Sequence, residues 1–315
     1  MSSNVSIETI KLSKQFGSFT AVSELNLKIA GAKCVGFLGP NGAGKTTTLK
    51  MLTDLIRPSS GEALINGLNV HTNKKNALES VGTLIEMPEI YPSLTPREAL
   101  MMVAEYRGVP AGERKKLIDE AISEVRMNEW IDKRVGKFSK GMKQRVCIAS
   151  ALLNDPCIIL LDEPTTGLDP RGMSEVRDVI KSLKNKKRLI FMSSHILSEV
   201  SDVCDEIAMI DHGKLLVYDS LPNVIAKFSK GQNIVEVGLR KPIDSISMKS
   251  IGAIQGVVEV TAKDNTNLQI QFSDGLETQE KIFVALGKMN IGAISFKPKG
   301  SELEGVYLDL IKDTL

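Results

Sequence analysis

Apolar residues follow two rhythms along the chain, and the change between them falls near residue 220. Lys33–Leu38 (KCVGFL) is a short apolar run that reads as a buried strand. A glycine-rich loop follows, and then Leu49, Leu52 and Ile56 mark one face of a helix from about Lys45 to Ile56, closed by Pro58 and Gly61. Ala63–Asn66 reads as a strand meeting a turn at Asn66-Gly67. Residues 95–153 read as helical. Thr95-Pro96-Arg97-Glu98 is a capping box with proline at the first helical position, and Gly108 stops that helix. Ile118, Ala121, Ile122 and Val125 repeat the helical period, and a third helix starts near Ser139. Strands return at Cys157–Leu161 and Leu189–Ser193. A helix with Leu197, Val200, Cys204 and Ile207 in phase follows, and then a hairpin turning at Asp211–Lys214. To about residue 220 this is an α/β core with a helical insertion.

Residues 221–232 read as a connector. Beyond it Val235, Val237 and Leu239 alternate, as do Leu268, Ile270 and Phe272, and later Ile294 and Phe296. With helices near 244–254 and around Ile282–Met289, and a strand at Val257–Thr261, the order is βαββαβ, which predicts a small ferredoxin-like unit. Ser301-Glu302-Leu303-Glu304 is a further capping box that predicts a final helix.

Composition narrows this little. The 315 residues are 42% hydrophobic and 25% charged, with a formal net charge of +2, so no global charge points to nucleic acid. Cys34, Cys147, Cys157 and Cys204 form no CxxC pair, and reduced core thiols in a cytosolic compartment are expected. The polar, mixed stretch Met1–Phe16 does not look like a signal peptide, and no apolar run approaches the ~20 residues that span a bilayer. If the protein acts at a membrane, another chain supplies the span.

The chemistry is carried by two segments. Gly39-Pro40-Asn41-Gly42-Ala43-Gly44-Lys45-Thr46 fits GxxxxGK[ST], with a strand before it and a helix after it. Such a loop turns its N–H groups toward phosphate oxygens, Lys45 reaches the β and γ phosphates, and the Thr46 hydroxyl is placed to ligate Mg²⁺. Ile158–Glu163 is an apolar strand ending in two acids, which are costly there unless a cation or proton is present. Asp162 is placed to hold Mg²⁺ through water, and Glu163 to polarise an attacking water. ATP binding with Mg²⁺, followed by hydrolysis, is the expected activity.

Between these motifs stands Phe138-Ser139-Lys140-Gly141-Met142-Lys143-Gln144-Arg145, which resembles the signature sequence of ABC ATPases. Thr165–Asp169 resembles that family's D-loop, and Ser194-His195 its switch histidine. The resemblance covers residues from about 5 to 220. It implies a P-loop ABC ATPase of RecA-like core, antiparallel β subdomain and helical subdomain. The nucleotide-binding domain is then expected over 1–222, its helical subdomain over about 87–155, and a small accessory or regulatory domain over 230–315. The resemblance further implies a head-to-tail pair of ATPase chains, identical or not, with ATP sandwiched between them. Ser139 and Gly141 would contact the γ-phosphate held by Lys45 of the partner subunit; Thr47 and Asp169 also fall at nucleotide positions, and Phe16 at the aromatic that stacks on adenine. Val81–Glu86 resembles the Q-loop, but with glutamate where glutamine is usual at a position that contacts Mg²⁺. That stretch, LIEMPEIYPSLTPREAL, is similar to bacitracin- and lantibiotic-resistance exporter ATPases, and the C-terminal unit resembles the small domain of drug-exporter-type ABC ATPases. Two kinds of function fit such a motor. One is the ATPase subunit of an exporter, on the inner face of the membrane beneath separate permease subunits and with no nucleic acid as partner. The other is a soluble ABC ATPase acting on the ribosome or DNA. A single nucleotide domain, with no zinc cysteines or long coiled coil, favours the first.

Overall fold

The computed structural model describes residues 5–86, 90–228, 233–273, 275–289 and 291–299. They divide into two compact units between Leu221 and Pro222.

The first unit opens with a hairpin of β1 (Ser6–Phe16) and β2 (Phe19–Ala30). In β2, Leu25, Leu27 and Ile29 are buried while Asn26, Lys28 and Ala30 are exposed, the period of two expected of a sheet with one face on a core. The fully buried β3 (Cys34–Leu38) then leads through the glycine loop into α1 (Lys45–Leu52). That helix is shorter than the expected span to Ile56, because Asp54 takes a left-handed φ of +54° and turns the chain. β4 (Ser60–Ile65) and β5 (Leu68–Asn69) flank Asn66 and Gly67, both at positive φ, as a tight hairpin requires. After α2 (Lys74–Leu78) and β6 (Val81–Leu84) the chain enters three helices: α3 (Pro96–Tyr106), α4 (Ala111–Glu124) and α5 (Lys140–Leu152). The capping box at Thr95 is formed in full, with the Glu98 carboxylate accepting from the Thr95 N–H at 2.8 Å. The stretch 95–153 is thus not continuous helix, since two 3₁₀ turns, Asn128–Trp130 and Val135–Lys137, lie between α4 and α5.

The chain returns to the core through β7 (Ile158–Leu161), α6 (Pro170–Lys184), β8 (Leu189–Ser194), α7 (Leu197–Val203), β9 (Glu206–Asp211) and β10 (Lys214–Ser220). Ile207, in helical phase by sequence, lies on β9, because Cys204 is already extended. The first eight residues of the expected connector form α8 (Leu221–Phe228). Four strands make an antiparallel sheet in the order β2-β1-β4-β5. A six-stranded sheet runs β10-β9-β3-β8-β7-β6, parallel except for β10. Its strands β3, β7 and β8 are buried along their length, which is why they read as unbroken apolar runs. Leu49, Met51 and Leu52 of α1 share one core with Leu25 and Ile65 of the first sheet and Phe37 and Phe191 of the second. Each such side chain stabilises the fold by roughly 1.5–3 kcal/mol. This packing holds α1, and the loop before it, at the carboxyl edge of the parallel strands.

The second unit contains β11 (Asn233–Leu239), α9 (Ser245–Gly252), β12 (Val257–Ala262), β13 (Asn267–Phe272), α10 (Gly275–Lys288) and β14 (Ala293–Lys299). This is the expected βαββαβ order, folded as an antiparallel sheet β12-β13-β11-β14. The helix expected from Ser301 falls outside the described residues.

Candidate nucleotide site

The loops after β3, β6, β7 and β8 meet at one edge of the parallel sheet. This is where open α/β sheets bind ligands. In the first loop Gly42 and Gly44 are left-handed, with φ of +84° and +104°. A Cβ on Gly44 would lie 2.5 Å from the Ala21 carbonyl oxygen, so both the dihedral and the space exclude a side chain. Gly44 also caps α1 without any side-chain hydrogen bond, which leaves the first N–H groups of that helix to an anion. Gly44→Ala is therefore expected to destabilise the fold by about 1–3 kcal/mol and to abolish nucleotide binding. Thermal unfolding and titration with a fluorescent ATP analogue measure the two effects.

Lys45 is 4% exposed. Its ammonium donates to the carbonyls of Gly39 (2.7 Å) and Pro40 (3.0 Å) and lies 3.4 Å from Glu163 Oε1. The Thr46 hydroxyl donates to Asp162 Oδ1 at 3.1 Å. Ser193 joins the two acids: its hydroxyl donates to Asp162 Oδ1 (2.6 Å) and accepts from the Glu163 N–H (2.9 Å). Glu163 itself sits at φ +43°, a strained conformation for a non-glycine residue and one that recurs at functional sites. The Thr166 hydroxyl donates to Glu163 Oε2 at 2.8 Å, and His195 Nδ1 lies 3.1 Å from the same oxygen. Burial pushes the Glu163 carboxyl up, but Thr166, Lys45 and His195 together outweigh it and hold the group below its ordinary value.

Glu86 is brought to the same place. It follows β6 at φ +58° and pairs with Lys50 of α1 at 2.5 Å. A cavity of about 360 Å³ is lined by Thr46, Leu84, Glu86, Gln144, Asp162, Glu163 and Thr166. Buried Gln144 also lines this cavity, and its amide oxygen has no hydrogen-bond partner among the described residues. Among these residues no group of three or more His, Cys, Asp or Glu could hold a metal ion by itself. Thr46 and Asp162 instead form a short oxygen set, of the kind that takes Mg²⁺ together with phosphate and water. Of the remaining loop positions, Ala43 is buried, Pro40 and Thr47 half-buried and Asn41 exposed. Phe16 is half-exposed, with the Lys14 ammonium 5.0 Å from its ring centre.

Ser139, Gly141 and Asp169 form a second cluster. Ser139 caps α5 by accepting from the Met142 N–H at 3.2 Å, and Asp169 caps α6 by accepting from the Gly172 N–H at 3.2 Å. The two helix starts touch, since a Cβ on Gly141 would lie 2.8 Å from the Gly172 Cα. The cavity here, lined by Ser139, Met142, Arg145, Asp169 and Glu175 among others, shares no residue with the first.

Residues 22–166 match the family described as ABC transporter. The bacitracin transport ATP-binding protein BcrA of Bacillus licheniformis is 46% identical over 211 residues, 67% of this chain and 68% of that protein. This chain belongs to the ABC transporter ATP-binding proteins. The uncharacterized ABC transporter ATP-binding protein YcbN of Bacillus subtilis is 34% identical over 307 residues, covering 97% of this chain and 96% of that one, so its likeness extends through the small second unit. A solved ATP-binding subunit of an ABC transporter is 28% identical with a TM-score of 0.62, covering 71% of this chain and 93% of that one. The chain is thus an ABC ATPase that binds and hydrolyses ATP as the ATP-binding subunit of a transporter.

Lys50, Gln144, Thr166 and Ser193 belong to the site by geometry and were not singled out by sequence. Gln144 and Thr166 lie within the signature and D-loop motifs without a role assigned to them there, and Ser193 belongs to a Ser193-Ser194 pair ending an apolar strand just before His195.

Proposed function

We propose that two ATPase chains of this kind close on two Mg²⁺·ATP and drive export through separate membrane permease subunits. The observation that carries this is the division of the motif residues into two clusters that share no lining residue. One offers the phosphate loop, and the other offers a pair of helix N-termini that find no phosphate within their own cluster. A two-fold related pair of chains brings each to the other. In the closed pair, Lys45 and the loop N–H groups hold the β and γ phosphates, and Ser139 and Gly141 of the partner subunit complete the anion site. Glu163 and His195 orient the attacking water, and Phe16 stacks on the adenine. Thr46 and, through water, Asp162, with Glu86 beside them, would hold Mg²⁺, which would supply positive charge beside the phosphates. Release of phosphate removes the contacts that favour closure, and the pair reopens.

The likeness to a Nod factor export ATP-binding protein of Burkholderia lata, 33% identical over 231 residues, supports export as the direction. Among the described residues no helix is long and apolar enough to cross a membrane, which fits a motor seated beneath a permease on the cytoplasmic face. In the helical subdomain, Tyr91, Leu94, Leu100, Met102, Val103 and Tyr106 line an apolar groove whose rim residues Tyr91 and Tyr106 are exposed. This groove is suited to receive a permease helix. Affinity purification of the tagged chain from detergent-solubilised membranes of its host tests the reading. A stoichiometric multi-span membrane protein is the expected partner. Ribosomes, DNA or no partner at all would remove the coupling to transport while leaving the ATPase.

Glu86 gives this site one distinguishing property. Its charge is balanced by Lys50, and an exposed pair of this kind is worth no more than about 1 kcal/mol. Glu86→Gln is thus expected to keep hydrolysis but to shift the Mg²⁺ dependence several-fold. Superimposable Mg²⁺ titrations of both proteins would show that the carboxylate does not act on the ion.

A further inference from the structure

One buried acid stands outside both clusters of motif residues. Glu199, on α7, is 1% exposed and lines neither of their cavities. Its Oε2 accepts from the Ser194 hydroxyl at 3.1 Å, and its Oε1 has no hydrogen-bond partner among the described residues. Burying a carboxyl with one oxygen unpartnered is costly. Beside the buried Val200 and Val203, an apolar side chain would pack at no such cost. The bond to Ser194 is therefore what Glu199 contributes that packing does not.

Ser194 stands where the sheet gives way to the segment carrying His195. It is the last residue of β8 and pairs with Leu38 of β3, and its carbonyl accepts from the Gly39 N–H at 3.4 Å. The strand ladder fixes the chain to this point. α7 begins at Leu197 and is pinned to β3, since a Cβ on Gly36 would lie 2.5 Å from Val200 Cγ1. Only His195 and Ile196 bridge the two, and Ile196 gives α7 no side-chain cap. The bridge is held instead by the Ser194 hydroxyl, which accepts from the Ile196 N–H at 2.9 Å across His195. A hydroxyl has one proton to give. Its acceptors here are Glu199 Oε2 at 3.1 Å and the Ile196 carbonyl at 3.4 Å. With the proton on Glu199, a lone pair is left facing the Ile196 N–H.

We infer that Glu199 is a positioning residue for hydrolysis. Through the Ser194 hydroxyl it fixes the turn that carries His195, and so the place of the ring whose Nδ1 lies 3.1 Å from Glu163 Oε2. The inference rests on the reading of His195 as a group that orients the attacking water. Its effect falls on turnover rather than on binding. Lys45 is held by the carbonyls of Gly39 and Pro40, and the link from Gly39 to Ser194 is between backbones, so neither depends on the Glu199 side chain.

Steady-state ATP hydrolysis by the full-length chain tests this. Glu199→Leu keeps most of the volume and removes the acceptor. It is expected to lower kcat about tenfold or more, with KM for ATP within about twofold of native, because small misplacements of a catalytic group are costly in rate. Glu199→Gln, whose amide oxygen accepts from Ser194 as the carboxyl does, is expected to hold kcat within about threefold of native. Ser194→Ala is expected to repeat the loss of Glu199→Leu, and the double variant to be no slower than the slower single one. A loss that falls on KM, that Glu199→Gln does not restore, or that multiplies with Ser194→Ala would assign Glu199 to packing and overturn the inference. Thermal unfolding checks each fold. Should Glu199→Leu not fold, native kcat in Ser194→Ala would overturn it equally. His195→Ala, measured alongside, separates the inference from its premise. Near-native turnover of His195→Ala removes both, whereas a slow His195→Ala beside a native kcat in Glu199→Leu removes the inference alone.

Discussion

Glu163→Gln is expected to bind ATP, to hydrolyse it about 10²–10⁴-fold more slowly than the native protein, and to accumulate as a nucleotide-bound dimer. The substitution keeps the shape of the side chain and removes its charge, so the change acts on chemistry more than on packing. Glu163 Oε1 faces Lys45 at 3.4 Å and Oε2 faces His195 at 3.1 Å, so the carboxylate stands between the phosphate-binding cation and the histidine. Without the carboxylate, Lys45 keeps the carbonyls of Gly39 and Pro40, and the neutral amide oxygen of the glutamine competes with phosphate for its ammonium less than the carboxylate does. Binding is preserved or improved while turnover fails. Phosphate release under saturating ATP measures the rate, and size-exclusion chromatography with Mg²⁺·ATP measures the dimer. Near-native turnover would show that Glu163 is not the principal group acting on water.

The same environment says what kind of base Glu163 is. Thr166, Lys45 and His195 hold its carboxyl below the ordinary value in spite of burial. It is therefore ionised throughout the neutral range and is a weak proton acceptor. On the proposed mechanism its larger effect would be to orient and polarise the water, with the proton passing on as the γ-phosphate departs. The backbone fits this assignment. The left-handed φ of Glu163 is tied down by the Ser193 hydroxyl on its N–H, and Ser193 in turn donates to Asp162. One serine thus sets the two acids relative to each other.

How much of this was legible depended on whether the information was local. KCVGFL and IILL announce themselves because a parallel strand covered on both faces is apolar throughout. The phosphate loop and Thr95 cap are local hydrogen-bonding devices, and they fold where their residues stand. The expected helix ran on to Ile56 because Ile56 is apolar and in phase with Leu49 and Leu52, but the chain turns at Asp54, and Leu55 beyond it is 61% exposed. Ile207 kept helical phase with α7 by coincidence, since it pairs with Gly36 on the neighbouring strand. The strands β1 and β2, and α6 with its buried Val176, Val179, Ile180 and Leu183, are periodic in sequence but are not among the elements assigned from it; the resemblance implied only an antiparallel β subdomain. Lys50 and Ser193 were beyond local reading. Lys50 meets Glu86 across 36 positions in sequence. Ser193 meets Asp162 because β8 lies beside β7 with Leu161 opposite Met192. Sheet order decides such neighbours, and no single segment encodes it.

Mixing two inactive variants is expected to restore activity if each site is built from two chains. Lys45→Ala removes the cation of the phosphate loop. Ser139→Asp keeps the cap on α5, because aspartate accepts from the Met142 N–H as serine does. It also sets a carboxylate where the γ-phosphate of the partner subunit's nucleotide would lie. At about 4 Å and an effective dielectric near 20 this repulsion is worth about 4 kcal/mol, roughly a thousandfold. Each variant alone is therefore expected to be nearly inactive. In a mixed dimer the phosphate loop of the Ser139→Asp chain faces the native Ser139 of the Lys45→Ala chain, so one site is whole and the other carries both lesions. Half of the dimers are mixed at equal concentrations and each has one competent site, so about a quarter of the native rate returns if sites act independently. Two affinity tags on the two chains confirm that mixed dimers form, and phosphate release from the doubly purified fraction, in which every dimer is mixed, is expected at about half the native rate. Recovery requires that Ser139 act across a subunit boundary. A mixed dimer that forms and stays inactive would mean that Ser139 acts within its own chain or that both sites must be whole for either to turn over, and a fully active Ser139→Asp homodimer would remove Ser139 from the phosphate altogether.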